Sequence, residues 1–186
     1  MATLAKHLMT AEEFLGIEFD GEARFELDNG VVRMMAGGLA VHARVQSNVM
    51  ISLGIKLRGT GCTPYGPDMA VTTHKLSVRY PDITIYCDKD SPADDRLKAF
   101  DDPKLIVEVL SESTRREDIK VKLPEYRRIT SLDAILYIDP EDKTVHLEIR
   151  DDVRGWMVKT PDSGESLTLP LHGIVLEWND IFGRAG

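Results

Sequence analysis

The most telling segment of this chain runs Lys104-Leu105-Ile106-Val107-Glu108-Val109-Leu110. Apart from Glu108, it is apolar on both alternating faces, which is typical of a central strand covered on both sides. A carboxylate inside such a strand is costly unless a cation or strong hydrogen bonds compensate its charge. Glu108 is therefore a candidate functional residue, and the alternative is a buried salt bridge with an arginine.

A second carboxylate, Asp82, heads the preceding β-like run, residues 82–86. The loop between the two runs is long enough for their strands to be neighbours. Two carboxylates at one edge of a cleft bind a hard divalent cation such as Mg²⁺ through oxygen, and such a cation activates water for hydrolysis. The alternative for Asp82 is an acid that starts a strand or a turn.

A helix is predicted after the Glu108 strand, because Thr114 and Glu117 form a capping-box pattern. Asp118 and Lys122 are four residues apart and share one face of this helix. Lys122 could orient the attacking water and stabilise charge on a phosphate. The alternative is a surface ion pair of small energetic value.

Several motifs together resemble the Uma-type restriction endonuclease family, of the PD-(D/E)xK or restriction-endonuclease-like superfamily. They are Pro81-Asp82, Glu108-Val109-Leu110-Ser111-x-Ser113-Thr114, Asp118-x-x-x-Lys122-x-x-x-Tyr126, Phe25-Glu26-Leu27-Asp28-Asn29-Gly30, Leu169–Ile174 and Asp180-Ile181-Phe182. The resemblance extends from about Thr10 onward. It implies an α/β fold with a central mixed β-sheet flanked by helices, an N-terminal hairpin and C-terminal antiparallel strands.

The resemblance also implies a Mg²⁺- or Mn²⁺-dependent hydrolase that cuts phosphodiester bonds, with DNA as the expected substrate. Its metal ligands would be Asp82, Glu108 and the backbone carbonyl of Val109. The lysine that the superfamily pattern places two residues after the glutamate is replaced here by Leu110. Lys122 would then be the displaced lysine, with Lys120 on another face of the helix.

Two further residues are candidates for the same site, each with a structural alternative. Glu26, in the alternating hairpin strand, is either a third, peripheral acid of the site or a half-exposed strand residue without a role there. His42 would approach the phosphate from the start of its helix, or only starts that helix. Tyr126 is interpreted as core packing.

Composition predicts one domain over residues 1–186, with residues 1–9 disordered. The formal net charge of −8 argues against a protein that coats nucleic acid non-specifically. Basic residues nevertheless cluster on the helix after Glu108, including Arg115, Arg116 and Lys120. The rival function is a catalytically inactive module that binds nucleic acid or protein.

Cys62 and Cys87 lack metal-ligand spacing and predict two reduced thiols in a cytoplasmic protein. There is no apolar run of transmembrane length and no signal peptide, so no membrane association is expected. A homodimer would suit cleavage of both strands of a duplex.

Local patterns predict the remaining elements. A capping box at Thr10 opens a helix to about Ile17, and Asn29-Gly30 turns a hairpin over residues 23–35. Helix 42–57 would bury Val45, Val49, Ile51, Leu53 and Leu57. The helix after Thr114 would bury Ile119, Leu123 and Tyr126, and Pro124 would kink or split it. Strands are predicted near residues 62–73, 133–138, 144–150 and 156–160.

Overall fold

The computed structural model describes residues 8–184 apart from 22, 36, 90, 92, 113 and 114. The helices are α1 (Ala11–Leu15), α2 (Ala40–Lys56), α3 (Arg115–Glu117), α4 (Leu123–Tyr126) and α5 (Trp178–Phe182), and a π-helical turn, Asp118–Lys122, joins α3 to α4. The predicted cap at Thr114 and residues 1–7 of the predicted disordered segment lie outside the described residues. Met9, also in that segment, donates its backbone N–H to the Gly30 carbonyl oxygen at 3.1 Å.

The strands form two main sheets and one short pair. They are β1 (Phe25–Asp28), β2 (Val31–Met34), β3 (Cys62–Tyr65), β4 (Ala70–His74), β5 (Ser77–Arg79), β6 (Ile83–Cys87), β7 (Ala99–Phe100), β8 (Leu105–Val109), β9 (Ala134–Asp139), β10 (Thr144–Asp151), β11 (Gly155–Lys159), β12 (Leu167–Thr168) and β13 (Val175–Leu176). The six-stranded sheet has the order β11-β10-β9-β8-β6-β3, and the five-stranded sheet has the order β2-β1-β5-β4-β7.

Strand β8 lies inside the six-stranded sheet, parallel to β9 and antiparallel to β6. All five of its residues are buried. Leu105, Val107 and Val109 belong to the apolar cluster that includes the buried apolar residues of α2. Ile106 packs in the cluster on the opposite face, which contains Tyr126. This mixed sheet with helices on its faces confirms the predicted fold class, as do the β1–β2 hairpin and the antiparallel β9-β10-β11 strands.

The N-terminal hairpin turns where the sequence predicted. Asn29 and Gly30 both have positive φ values, 47° and 81°. Two consecutive residues of this kind form the tight turn whose twist matches that of paired strands. Asp28 pairs with Val31 across the turn, so Glu26 and Asp28 are held in register on β1.

Two predictions of buried isoleucines were wrong. In α2 the buried stripe follows Val45, Val49 and Leu53, and Ile51 lies off that stripe with an exposed fraction of 62%. Ile119 is 43% exposed because it lies in the π-helical turn, where the α-helical spacing used to assign its face does not hold.

Pro124 explains the shape of the helix that follows β8. Proline has no N–H, and its ring clashes with the carbonyl four residues earlier, so a regular α-helix is excluded here. The chain instead widens into the π-helical turn, where the Leu123 N–H donates to the Asp118 carbonyl oxygen. The predicted disruption therefore takes the form of a π turn, and it buries both Asp118 and Lys122.

The prediction of two reduced cysteines was wrong for this structure. Cys62 on β3 lies directly opposite Cys87 on β6, and the two form a disulfide. Their pairing is set by the register of two strands that are distant in sequence, which composition does not reveal. Among the residues that the structure describes, no helix is long and apolar enough to span a membrane.

Candidate active site

Asp82 and Glu108 are brought together by the antiparallel pairing of β6 and β8. Ile83 pairs with Val107, so Asp82, just before β6, lies beside the Glu108 end of β8. The Asp82 Oδ2 atom accepts the Val109 N–H at 2.8 Å, which fixes the carboxylate at the end of β8. The Asp82 side chain is 15% exposed and the Glu108 side chain 5%, so Asp82 faces the opening and Glu108 the interior.

Glu108 is held from the side of the helix that follows it. The Tyr126 hydroxyl donates to Glu108 Oε1 at 2.6 Å, and the Lys122 ammonium lies 3.8 Å from the same oxygen. Burial raises the pKa of Glu108 to about 8. The Lys122 charge opposes this rise, the Asp118 and Asp82 charges add to it, and the Tyr126 hydrogen bond opposes it. Burial thus favours the protonated form of Glu108, and a cation that binds there must displace its proton.

Lys122 lies among three carboxylates. Its Nζ is 3.1 Å from Asp118 Oδ1, 3.7 Å from Glu26 Oε2 and 3.8 Å from Glu108 Oε1. Burial lowers the pKa of Lys122, but the charges of the three carboxylates outweigh it and raise the pKa above its usual value. The side chain is therefore an ammonium at neutral pH. Lys120, which the sequence analysis places on another face of the helix, is exposed.

His42 reaches the site from the first turn of α2. Its Nε2 lies 3.3 Å from Asp82 Oδ2. The pKa of His42 is raised, chiefly by its hydrogen bond to Asp82. Burial lowers this pKa, but the charges of Asp82 and Glu108 and a hydrogen bond with the Val109 backbone raise it further. One turn further along α2, the Gln46 amide donates to the Asp82 backbone carbonyl at 3.1 Å. Helix α2 thus positions Asp82 through both its side chain and its backbone.

Glu26 connects the site to a buried network that the sequence analysis missed. The Arg79 side chain is fully buried and donates to Glu26 Oε1 at 3.0 Å, to Asp28 Oδ1 at 2.8 Å and to both oxygens of Glu125 at 2.9 Å. Glu26 therefore bridges the Arg79 guanidinium and the Lys122 ammonium. The alternation Ser77-Val78-Arg79 was a signal for β5, but it is too short to be distinctive.

A small cleft of about 90 Å³ gives access to these groups. Its lining is Met35, Gly37, Gly38, His42, Tyr80, Asp82, Glu108, Val109, Ser111, Asp118 and Lys122. A neighbouring groove of about 400 Å³ shares His42, Tyr80 and Asp82 with the cleft. The sequence-predicted residues Asp82, Glu108, Val109, Lys122 and His42 all line the cleft, whereas Glu26 lies behind Lys122.

The donor set of the cleft fits a hard divalent cation. The carboxylates of Asp82 and Glu108 and the backbone carbonyl of Val109 offer only oxygen, the ligand type that Mg²⁺ and Mn²⁺ prefer. Three carboxylates line the cleft, from Asp82, Glu108 and Asp118, with Lys122 as the one ammonium among the described lining residues.

The mixed α/β fold of this chain is shared by a protein of known structure. A crystal structure of a putative nuclease belonging to DUF820 from Anabaena variabilis matches this chain with a TM-score of 0.74 at 16% identity, covering 94% of this chain and 97% of that one. At that identity the match shows the fold. The family model of Uma2, a putative restriction endonuclease family, matches residues 11–179, and the chain belongs to this family. The resemblance noted in the sequence is thereby confirmed.

Two proteins of Synechocystis sp. are similar to this chain over most of their length. The uncharacterized protein sll1609 is 29% identical over 140 residues, which is 75% of this chain and 79% of that protein. The uncharacterized protein slr1290 is 24% identical over 168 residues, which is 89% of this chain and 87% of that protein.

Proposed function

We propose that this protein is a Mg²⁺- or Mn²⁺-dependent endonuclease that hydrolyses phosphodiester bonds of DNA. The family description and the shared fold of the putative nuclease from Anabaena variabilis support the nuclease class. The observation that carries the proposal is the convergence of Asp82, Glu108 and Lys122 in one cleft, with Lys122 Nζ 3.8 Å from Glu108. The family name and the cleft together favour nucleic acid as substrate.

The proposed roles follow from the contacts of each residue. Asp82, Glu108 and the Val109 carbonyl would hold the divalent cation. When bound, such a cation lowers the pKa of water and offsets the charge that develops on the phosphate. The Val109 N–H orients the Asp82 carboxylate, and the Tyr126 hydroxyl orients Glu108.

Lys122 would stabilise negative charge on the scissile phosphate and orient the attacking water. Asp118 and Glu26 hold its ammonium at the back of the cleft, so it is charged before substrate arrives. His42 lies at the outer side, against Asp82, where a protonated imidazole would meet the phosphate first.

The basic helix offers fewer free charges to DNA than its composition indicates. Arg115 pairs with Asp139 and Asp142, and Arg127 makes two hydrogen bonds to Glu148 at 2.7 Å. Arg116, Lys120 and Arg128 remain exposed. With few phosphate contacts and a net charge of −8, DNA binding should be weak and strongly salt-dependent.

A binding module without catalysis is the second candidate, and one observation favours it. Leu110, at the position of the usual lysine, is 3% exposed and packs in the apolar cluster that includes Tyr126. No positively charged side chain therefore enters the cleft from position 110. The two candidates differ in whether Lys122 supplies the missing charge contact during cleavage.

Cleavage and metal binding should be measured together on wild type, Asp82→Ala, Glu108→Ala, Lys122→Met and the control Lys120→Met. If the protein is the proposed endonuclease, calorimetry should show Mn²⁺ binding to wild type and no binding to Asp82→Ala or Glu108→Ala. Lys122→Met should still bind Mn²⁺ and should cleave about a hundredfold or more slower, the scale of losing one transition-state contact. Lys120→Met should stay near wild type. Metal binding without cleavage in the wild type would favour the binding module.

The proposal includes a homodimer, because two copies would present two clefts to the two strands of a duplex. Helix α2 supports an apolar contact between copies, since Ile51 and Ile55 are 62% and 60% exposed. Light scattering should give twice the chain mass, and Ile51→Glu with Ile55→Glu should return it to the monomer. A monomeric mass for the wild type would remove the dimer from the proposal.

A further inference from the structure

A cluster of two cysteines and a histidine lies at the open edge of the six-stranded sheet. Cys62 on the edge strand β3 faces Cys87 at the end of β6. His172, in the turn between β12 and β13, places its Nε2 3.4 Å from Cys62 Sγ. The two sulfurs and a ring nitrogen of His172 all lie within 4.8 Å of one another. None of the three residues lines the carboxylate cleft.

The ligand chemistry of this cluster differs from that of the cleft. Thiolates and an imidazole suit Zn²⁺ and similar soft or borderline cations, whereas Mg²⁺ prefers oxygen. With Zn–S and Zn–N bonds of ordinary length and tetrahedral angles, a sulfur and a nitrogen on one zinc are about 3.5 Å apart. The observed Cys62–His172 separation of 3.4 Å is close to that span.

We propose that Cys62, Cys87 and His172 form a second metal site, for Zn²⁺ or a cation of similar softness, that becomes available when the Cys62–Cys87 disulfide is reduced. A dithiol reductant transfers two electrons and two protons to the disulfide, giving two thiols, and is itself oxidised to a disulfide. Binding of the cation then releases the two thiol protons, since thiolates are the ligands.

The surroundings of the cluster suit such a site. Cys62 is buried, Cys87 is half-buried and His172 is exposed. A cation could therefore enter from solvent on the His172 side, and a water molecule could complete its coordination. Strands β3 and β6 stay paired from Cys62 to Tyr65, so the sulfurs need only side-chain rotation to separate. A bound cation would join β3, β6 and the β12–β13 turn.

The test uses Co²⁺ as a visible probe and Zn²⁺ as competitor. Wild type reduced with a dithiol and then desalted should bind one Co²⁺ with thiolate-to-metal charge-transfer absorption, and Zn²⁺ should abolish the band. The oxidised protein should show no band. Cys62→Ser and Cys87→Ser should each lose most of it. His172→Ala should bind about tenfold or more weakly, whereas the exposed control His146→Ala should match wild type.

Two further measurements make the test decisive. With excess Mg²⁺ present to occupy the carboxylate cleft, Zn²⁺ should raise the melting temperature of reduced wild type by mass action, and should raise that of reduced Cys62→Ser less. Excess Mg²⁺ should leave the cobalt band unchanged, because it prefers oxygen ligands. Absence of the band in reduced wild type that keeps its native circular dichroism would overturn the proposal. So would equal affinities of wild type and His172→Ala, or an unaltered band in both serine variants.

Discussion

Tyr126→Phe is the sharpest test of how the site controls Glu108. The substitution removes one hydroxyl from a fully buried ring and with it the 2.6 Å hydrogen bond to Glu108 Oε1. Tyr137→Phe is the matched control: its hydroxyl is also buried, and among the described residues it has no hydrogen-bond partner. The two variants thus differ in the contact to Glu108 and hardly in volume.

The magnitude follows from the charge state that the bond favours. A hydrogen bond to a charged group contributes about 1.5–3 kcal/mol, and about 1.4 kcal/mol corresponds to one pKa unit. Because the Tyr126 bond favours the ionised carboxylate, its loss should raise the pKa of Glu108 further. At pH 7 a cation must then displace a more firmly held proton, so Mn²⁺ affinity should fall about 10- to 100-fold.

Calorimetric titration of Mn²⁺ between pH 6 and pH 10 would measure this effect. The affinity of wild type should rise with pH and level off near the pKa of Glu108, and the Tyr126→Phe curve should level off at higher pH. The difference between the two should therefore shrink at the alkaline end. If Tyr126→Phe and Tyr137→Phe gave the same affinity at every pH, the hydrogen bond would have no influence on Glu108 and the argument would fail.

Three other outcomes are expected. Arg79→Met should lower the free energy of unfolding by about 3–5 kcal/mol in urea, because it leaves buried carboxylates without a cation; Arg116→Met, on the surface, should change it little, and similar losses in both would contradict the network. In EDTA, the melting temperature of wild type should fall relative to that of Glu108→Gln as the pH rises. Because the pKa of Glu108 is raised in the folded state, its contribution to the free energy of unfolding is fully present below about pH 4.5 and is lost as the pH rises to about 8. A flat difference between the two would refute that. Pro124→Ala should restore an α-helical hydrogen bond, slow cleavage by moving Lys122, and leave the melting temperature unchanged or higher; unchanged cleavage would show that the π turn does not position the lysine.

The sheet could be predicted because its central strand is unambiguous. A strand that is apolar on both faces makes a single glutamate conspicuous, and Asn29-Gly30 specifies its turn through backbone preference alone. The positions of Asp82, Glu108 and Lys122 in one cleft agree with the sequence hypothesis. Their roles as ligands and as the charge contact remain predictions.

Other features depend on tertiary relations that no local pattern carries. Arg79 lies in a strand of three residues, too short for a period to be recognised, and its three acidic partners come from two other elements. The pairing of Cys62 with Cys87 depends on strand register across a separation of 25 residues. Ile119 was assigned to the core with an α-helical period that the π turn does not follow.

The π turn also bears on how such sites are recognised from sequence alone. A pattern that requires the lysine two residues after the glutamate would pass over this chain, since Leu110 stands there. Yet the ammonium of Lys122 lies 3.8 Å from Glu108, delivered by the next helix rather than by the same strand. A search for such sites should therefore test whether an ammonium lies close to the carboxylates in three dimensions. In this chain the backbone element that brings the ammonium there is the helix after the strand, and not the strand itself.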